Sequence, residues 1–129
     1  MNTTTIWKTA HSFDSYQNNA KIEIDSDAGF SPKALLLSGL AGCSAIDVVD
    51  ILEKMRVPFA GLEVEAAADQ TDELPKVFKT IHLTYRVKIE EELLEKVKKA
   101  IDLSLEKYCG VAAMLNKNSA IEYSIVRLS

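Results

Sequence analysis

Between residues 78 and 89 apolar and polar side chains take turns. Ile81, Leu83, Tyr85, Val87 and Ile89 fall on one parity, and His82, Thr84, Arg86 and Lys88 on the other. A period of two sends the sets to opposite faces, which predicts a strand with one buried and one wet side. Past residue 90 the period lengthens. Leu93, Leu94, Val97, Ile101, Leu105 and Tyr108 recur at three- and four-residue steps against Glu92, Glu95, Lys96, Lys99 and Asp102, so residues 90–108 are expected to form an amphipathic helix. Cys109-Gly110 interrupts it, residues 111–115 supply one more short apolar turn, and residues 121–126 read as a closing strand.

Upstream, residues 4–17 carry the spaced apolar side chains Ile6, Trp7, Phe13 and Tyr16. The turn former Asn18-Asn19 and an alternating run over residues 21–25 follow, a pattern for two or three meandering strands. After a loop at residues 25–29, Ser31 as N-cap and Pro32 as first helical residue open a helix that runs to about Arg56, before Pro58. No charge appears in it between Lys33 and Asp47. Leu35, Leu36, Leu37, Leu40, Ala41, Cys43, Ala45 and Ile46 surround the cylinder, so the helix is expected to be buried on all sides. The uncharged run falls short of the ~20 residues a bilayer requires, and Asp47, Asp50, Glu53 and Lys54 follow it, which points to a core helix and no membrane. Residues 61–67 read as a further strand. The order βββαββααβ favours an α+β fold with antiparallel strands around two long helices, rather than a parallel βαβ sheet.

With 129 residues and 47% hydrophobic content, one domain over residues 1–129 is expected. A net charge of −4 leaves no basic stripe for tracking phosphates, so nucleic acid is not an expected partner. The start, Met1 to Trp7, has neither the cationic opening nor the apolar core of a secretion signal, and the expected location is the cytoplasm. Two cysteines are too few for a disulfide scaffold. If they pair, they pair as chemistry.

A cysteine in an apolar helix is usually a small buried hydrophobe, which is the plain reading of Cys43. Two features raise its interest. Gly39 and Gly42 beside it would let another backbone or a small substrate come close, and Cys109 opens a short helical segment whose N-terminus would stabilise a thiolate. A metal site drawn from Cys43, Cys109, His11 and His82 has no supporting ligand spacing, and His82 falls on the outer face of its strand. No glycine-rich phosphate cradle or nucleophile elbow is present, so neither cofactor nor metal is expected.

The run from Ser31 to Arg56 containing Gly-Cys43-Ser-Ala-Ile-Asp-Val-Val, together with Glu106-Lys-Tyr-Cys109-Gly-Val-Ala-Ala-Met-Leu115, resembles the OsmC/Ohr family of organic hydroperoxide reductases. Gly61-Leu-Glu-Val and the strand from Phe78 to Arg86 resemble its OsmC-like, YhfA-type branch. The resemblance implies an intertwined homodimer of α+β subunits. It also implies that Cys43 attacks the O–O bond of an organic hydroperoxide and becomes a sulfenic acid, that Cys109 resolves it as a disulfide, and that a small dithiol of lipoyl type restores both thiols.

The chain departs from that family at two places. Peroxidase members hold the thiolate with an arginine from the N-terminal strands, itself held by a glutamate just after the proline that starts the central helix. Here the N-terminal strands hold His11 and no arginine, and Lys33 and Ala34 follow Pro32. Desolvation disfavours a thiolate, and Asp47, one turn beyond Cys43, would oppose it further. Two readings stay open: a thiol peroxidase in which His11 or Lys33 replaces the missing cation, or a dimeric protein that binds an apolar or sulfur-containing small molecule. Arg56, Arg86 and Arg127 are the cations that folding could bring in instead.

Overall fold

Asn18 turns the chain with φ 54, and Gln17 pairs with Ala20 across it. Asparagine tolerates this left-handed conformation, which makes a two-residue hairpin from the Asn18-Asn19 step. The computed structural model describes all residues, Met1–Ser129, and they gather into two compact units, Met1–Leu36 and Leu37–Ser129.

In the first unit, β1 (Thr4–Thr9), β2 (Ser12–Gln17) and β3 (Ala20–Asp25) form an antiparallel sheet in chain order. Trp7 stands opposite Phe13, and Phe13 opposite Ile24, so these three share a face with Ile22. Trp7 is 63% exposed and Ile22 50% exposed, which leaves that apolar face uncovered in the single chain. The β1–β2 turn puts Ala10 at φ 47, and Trp7 Nε1 donates to the Ala10 carbonyl at 2.9 Å. Beyond β3, the Asp25 carboxylate accepts from the amides of Asp27 and Ala28, closing an Asx turn. Ser31 Oγ then accepts from the Ala34 amide at 3.2 Å, the expected N-cap.

Helix α1 (Pro32–Lys54) carries the chain into the second unit. Its buried stripe, Leu40, Ser44, Val48 and Leu52, steps by four along one face. The expectation of burial on all sides does not hold for the single chain, because Ile46, on the opposite side, is 64% exposed. Absence of charge marked this helix as apolar all round, but the rest of the chain covers only one of its sides. Length and hydropathy alone would let α1 cross a membrane, yet its buried stripe packs into the core of the second unit. The helix stops two residues before the expected end. Arg56 sits at φ 56, its amide donates to the Glu53 carbonyl, and Val57 donates to Leu52, the paired bonds of a Schellman cap.

Strands β4 (Gly61–Gln70), β5 (Phe78–Lys88) and β6 (Ala120–Leu128) make the second sheet with β5 central. Ile81, Leu83, Tyr85 and Val87 of β5 are buried as the alternation requires, and they join Leu40, Val48 and Leu52 of α1 in one core. The fold is α+β. One pairing departs from the expected antiparallel pattern: β4 and β5 are antiparallel, but β6 runs parallel to β5, from Thr80 opposite Ala120 to Lys88 opposite Leu128. The intervening helices form the crossover that a parallel return requires. That crossover comprises a 3₁₀ turn (Glu91–Leu93), α2 (Leu94–Leu103), a π turn (Ser104–Tyr108) and α3 (Gly110–Leu115). From α2, Val97, Ala100 and Ile101 complete the core.

Candidate active site

The π turn decides where Cys109 goes. Its widened ring is closed by the Cys109 amide donating to the Ser104 carbonyl at 2.7 Å, after which Cys109 becomes the N-cap of α3. There its Sγ accepts from the Ala112 amide at 3.3 Å. Cys109 is buried, Cys43 on α1 is half-buried, and both are free thiols. The two side chains are near enough for Cys43 to act directly on the Cys109 thiol.

Burial, and then the Cys43 contact, push the Cys109 thiol up to about 11 against the opposing pull of the Ala112 and Val111 amides. The expected thiolate-stabilising effect of the helix start is therefore outweighed here by desolvation. Cys109 stays protonated at neutral pH and can donate its S–H to Cys43.

Around this pair lies a polar network inside the apolar core. Ser44, next to Cys43, has its Oγ 2.6 Å from the Tyr85 hydroxyl. Ser104, first residue of the π turn, shares its one hydroxyl proton between Ser44 Oγ at 2.9 Å and Asp47 Oδ2 at 3.0 Å. Ser44, Ser104 and Tyr85 are fully buried, so each hydroxyl depends on these partners for what water would have given it. Burial pushes the Tyr85 phenol up to about 12, which keeps it neutral and able to donate. Asp47 leads from this network to a cavity of about 450 Å³, lined also by Ile51, Met55, Lys99, Leu103 and Tyr108.

None of the three is conspicuous in the sequence as chemistry, but each leaves a trace. Tyr85 is the one side chain with a polar tip in the inward series of β5, and a buried phenol needs a partner. Ser104 follows Ile101 by three on the buried stripe. Ser44 repeats the four-residue step of Leu40 and Val48.

The other candidates have their own partners. His11 Nδ1 lies 2.9 Å from the Asp27 carboxylate in the first unit, with its side chain 69% exposed. Lys33 is the second residue of α1 and half-buried. Arg86 reaches across the sheet to Glu63 and Glu65 at 2.8 and 2.7 Å, and Arg127 Nε donates to the Ile89 carbonyl. Arg56 enters the α1 cap through its backbone amide alone, and the residue is exposed. No cation is among the principal groups acting on Cys109. His82 meets Ser124 on the outer sheet face at 3.1 Å. No three histidine, cysteine or carboxylate side chains converge as a metal site would need.

The OsmC-like protein family model matches residues 25–124, a span that includes both cysteines. Protein YhfA of Escherichia coli K12 is 41% identical over 98 residues, covering 76% of this chain and 73% of its own. A hypothetical protein from Aquifex aeolicus superposes with a TM-score of 0.85 at 26% identity, over 99% of this chain and 97% of its own. The organic hydroperoxide resistance protein OhrB of Bacillus subtilis shares the fold, with a TM-score of 0.72 at 14% identity over 96% of each chain. The chain belongs to the OsmC/Ohr family, in its OsmC-like, YhfA-type branch.

Proposed function

We propose that this protein reduces organic hydroperoxides with Cys43 as the attacking thiol and Cys109 as the resolving one. The observation that carries the reading is that Cys43 acts directly on the buried Cys109 thiol. Cys43, as thiolate, attacks the distal peroxide oxygen. The O–O bond breaks, the alcohol leaves with a proton, and Cys43 is oxidised to a sulfenic acid. Cys109 then attacks the Cys43 sulfur, water departs, and a disulfide joins the two. A small dithiol, of lipoyl type, returns both to thiols and is itself oxidised to a disulfide. The chain acts as one domain over residues 1–129, as a homodimer in the cytoplasm, where a thiol cycle of this kind has reductant to draw on.

The family fold and its hydroperoxide-resistance relatives support the substrate class. The test is a time course of thiol loss in the purified protein with cumene hydroperoxide and with hydrogen peroxide. A faster reaction with the bulky peroxide, ending in a Cys43–Cys109 disulfide, is the expected result. No thiol loss with either peroxide overturns the reading.

One observation favours a second reading. The cavity beside Asp47 is large enough for a small molecule, while no cation stands among the principal influences on Cys109. A protein that binds an apolar or sulfur-containing ligand without turning it over needs the cavity and not the cation. Failure of the peroxide test together with saturable binding of such a ligand would establish it.

A further inference from the structure

We infer that Ser104 is a positioning residue for the cysteine pair, tying the π turn that presents Cys109 to the face of α1 that presents Cys43. This rests on the two-cysteine reading above and adds the part of the molecule that holds the pair in register. Ser104 acts at both ends of the link. Its carbonyl accepts the Cys109 amide at 2.7 Å, which sets the width of the π turn. Its hydroxyl reaches α1 twice, at Ser44 Oγ and at Asp47 Oδ2.

Ser44 is the neighbour of Cys43, and Asp47 lies one helical turn beyond it. One serine therefore connects both thiol-bearing segments through three short hydrogen bonds. Tyr85 fixes the far end, binding Ser44 from the central strand. A π turn is a single widened turn whose backbone is less favourable than α-helix, and it persists where its surroundings hold it. Here the surroundings that hold it are the buried hydroxyl contacts, since Ser104 is fully enclosed.

Losing the Ser104 hydroxyl leaves the turn free to relax toward regular helix, which draws Cys109 away from Cys43. The effective concentration of one thiol at the other then falls, and the disulfide between them becomes easier to reduce. The measurement needs no peroxide. Wild type and Ser104→Ala are equilibrated with mixtures of oxidised and reduced dithiothreitol, and the Cys43–Cys109 disulfide is counted by mass after alkylation. Wild type should form the intramolecular disulfide, and Ser104→Ala should shift its equilibrium constant toward the dithiol by about tenfold.

If Ser104→Ala does not fold, Asp47→Ala, made at a half-buried position on α1, should shift the equilibrium in the same direction. Ser104→Thr, which keeps the hydroxyl, should restore it. Equal constants in wild type, Ser104→Ala and Asp47→Ala overturn the inference, because a packing role moves the melting temperature and not the thiol equilibrium. No wild-type disulfide at any ratio overturns it as well, along with the two-cysteine mechanism. The Ser104→Ala shift without hydroperoxide consumption by wild type upholds the positioning role and removes the peroxidase.

Discussion

Tyr85 and Ser44 meet hydroxyl to hydroxyl at 2.6 Å, on the central strand and the central helix of the second unit. The contact joins sheet to helix at the residue beside Cys43, and it is buried at both ends. Tyr85→Phe keeps the ring and its edge-to-face packing on Tyr123 at 5.9 Å, so the loss is confined to one hydrogen bond. Because fully buried Ser44 loses that partner, the expected cost is about 1–3 kcal/mol, read from urea unfolding with an unchanged m-value.

Cys43→Ser should abolish hydroperoxide consumption. Cys109→Ser should permit one turnover and leave a Cys43 sulfenic acid that a carbon nucleophile such as dimedone traps. Trapping in Cys43→Ser rather than in Cys109→Ser would reverse the assignment.

With no arginine in the N-terminal strands, the reaction should be slow at neutral pH and rise with alkalinity. His11→Ala and Lys33→Ala separate the candidate substitutes for the missing cation. If His11 assists, His11→Ala removes the neutral-pH rate while Lys33→Ala leaves it nearly intact. A fast, pH-independent reaction below pH 7 would show that another cation reaches Cys43.

Stability should fall as pH rises above about 9. Folding raises the Cys109 thiol from 9.0 to about 11 and the Tyr85 phenol from 10.0 to about 12. Between each pair of values the folded chain keeps a proton that the unfolded chain gives up, so raising the pH favours unfolding. Burial and the Asp102 carboxylate raise Tyr123 as well, which extends the effect upward. Denaturation midpoints across pH 8 to 11 should decline, and Cys109→Ser should flatten the lower part of the slope. A rising midpoint would contradict the burial of Cys109.

The exposed Ile46 on α1 is where a second copy would cover the helix. Sedimentation of the wild type should give a dimer at micromolar concentration, and Ile46→Glu should weaken it to monomer. A stable wild-type monomer would exclude the homodimer.

Much of the architecture was legible because local rules and tertiary demands agree. The Ser31-Pro32 start of α1, the Asn18-Asn19 hairpin, the alternation of β5 and the helical stripe of α2 each follow from short-range chemistry. The parallel return of β6 was not legible, because strand direction depends on the path of the crossover and leaves no mark within residues 120–128. The uncovered side of α1 was hidden for a similar reason, since composition tells that a helix is apolar and not how much of it the rest of the chain covers. Both cysteines stood out, but the serines and tyrosine that brace them did not. Serine in a helix is unremarkable until another buried hydroxyl is known to face it, and that partner is 41 positions away in one case and 60 in the other.

The parallel pairing of β6 with β5 bears on the order in which the site comes into being. Thr80 must wait for Ala120, and every rung up to Lys88 spans the same long interval of chain. Such closures are entropically late events, since a long loop has to be ordered before any of its contacts reward it. The segment that must be ordered first is the one carrying Ser104 and Cys109. A growing chain therefore has Cys43 in hand long before the last strand emerges to clamp the crossover down. Until then Cys43 and Cys109 are both present but lack the strand that clamps the crossover, and a chain cut short before β6 should oxidise at Cys43 without closing the internal disulfide.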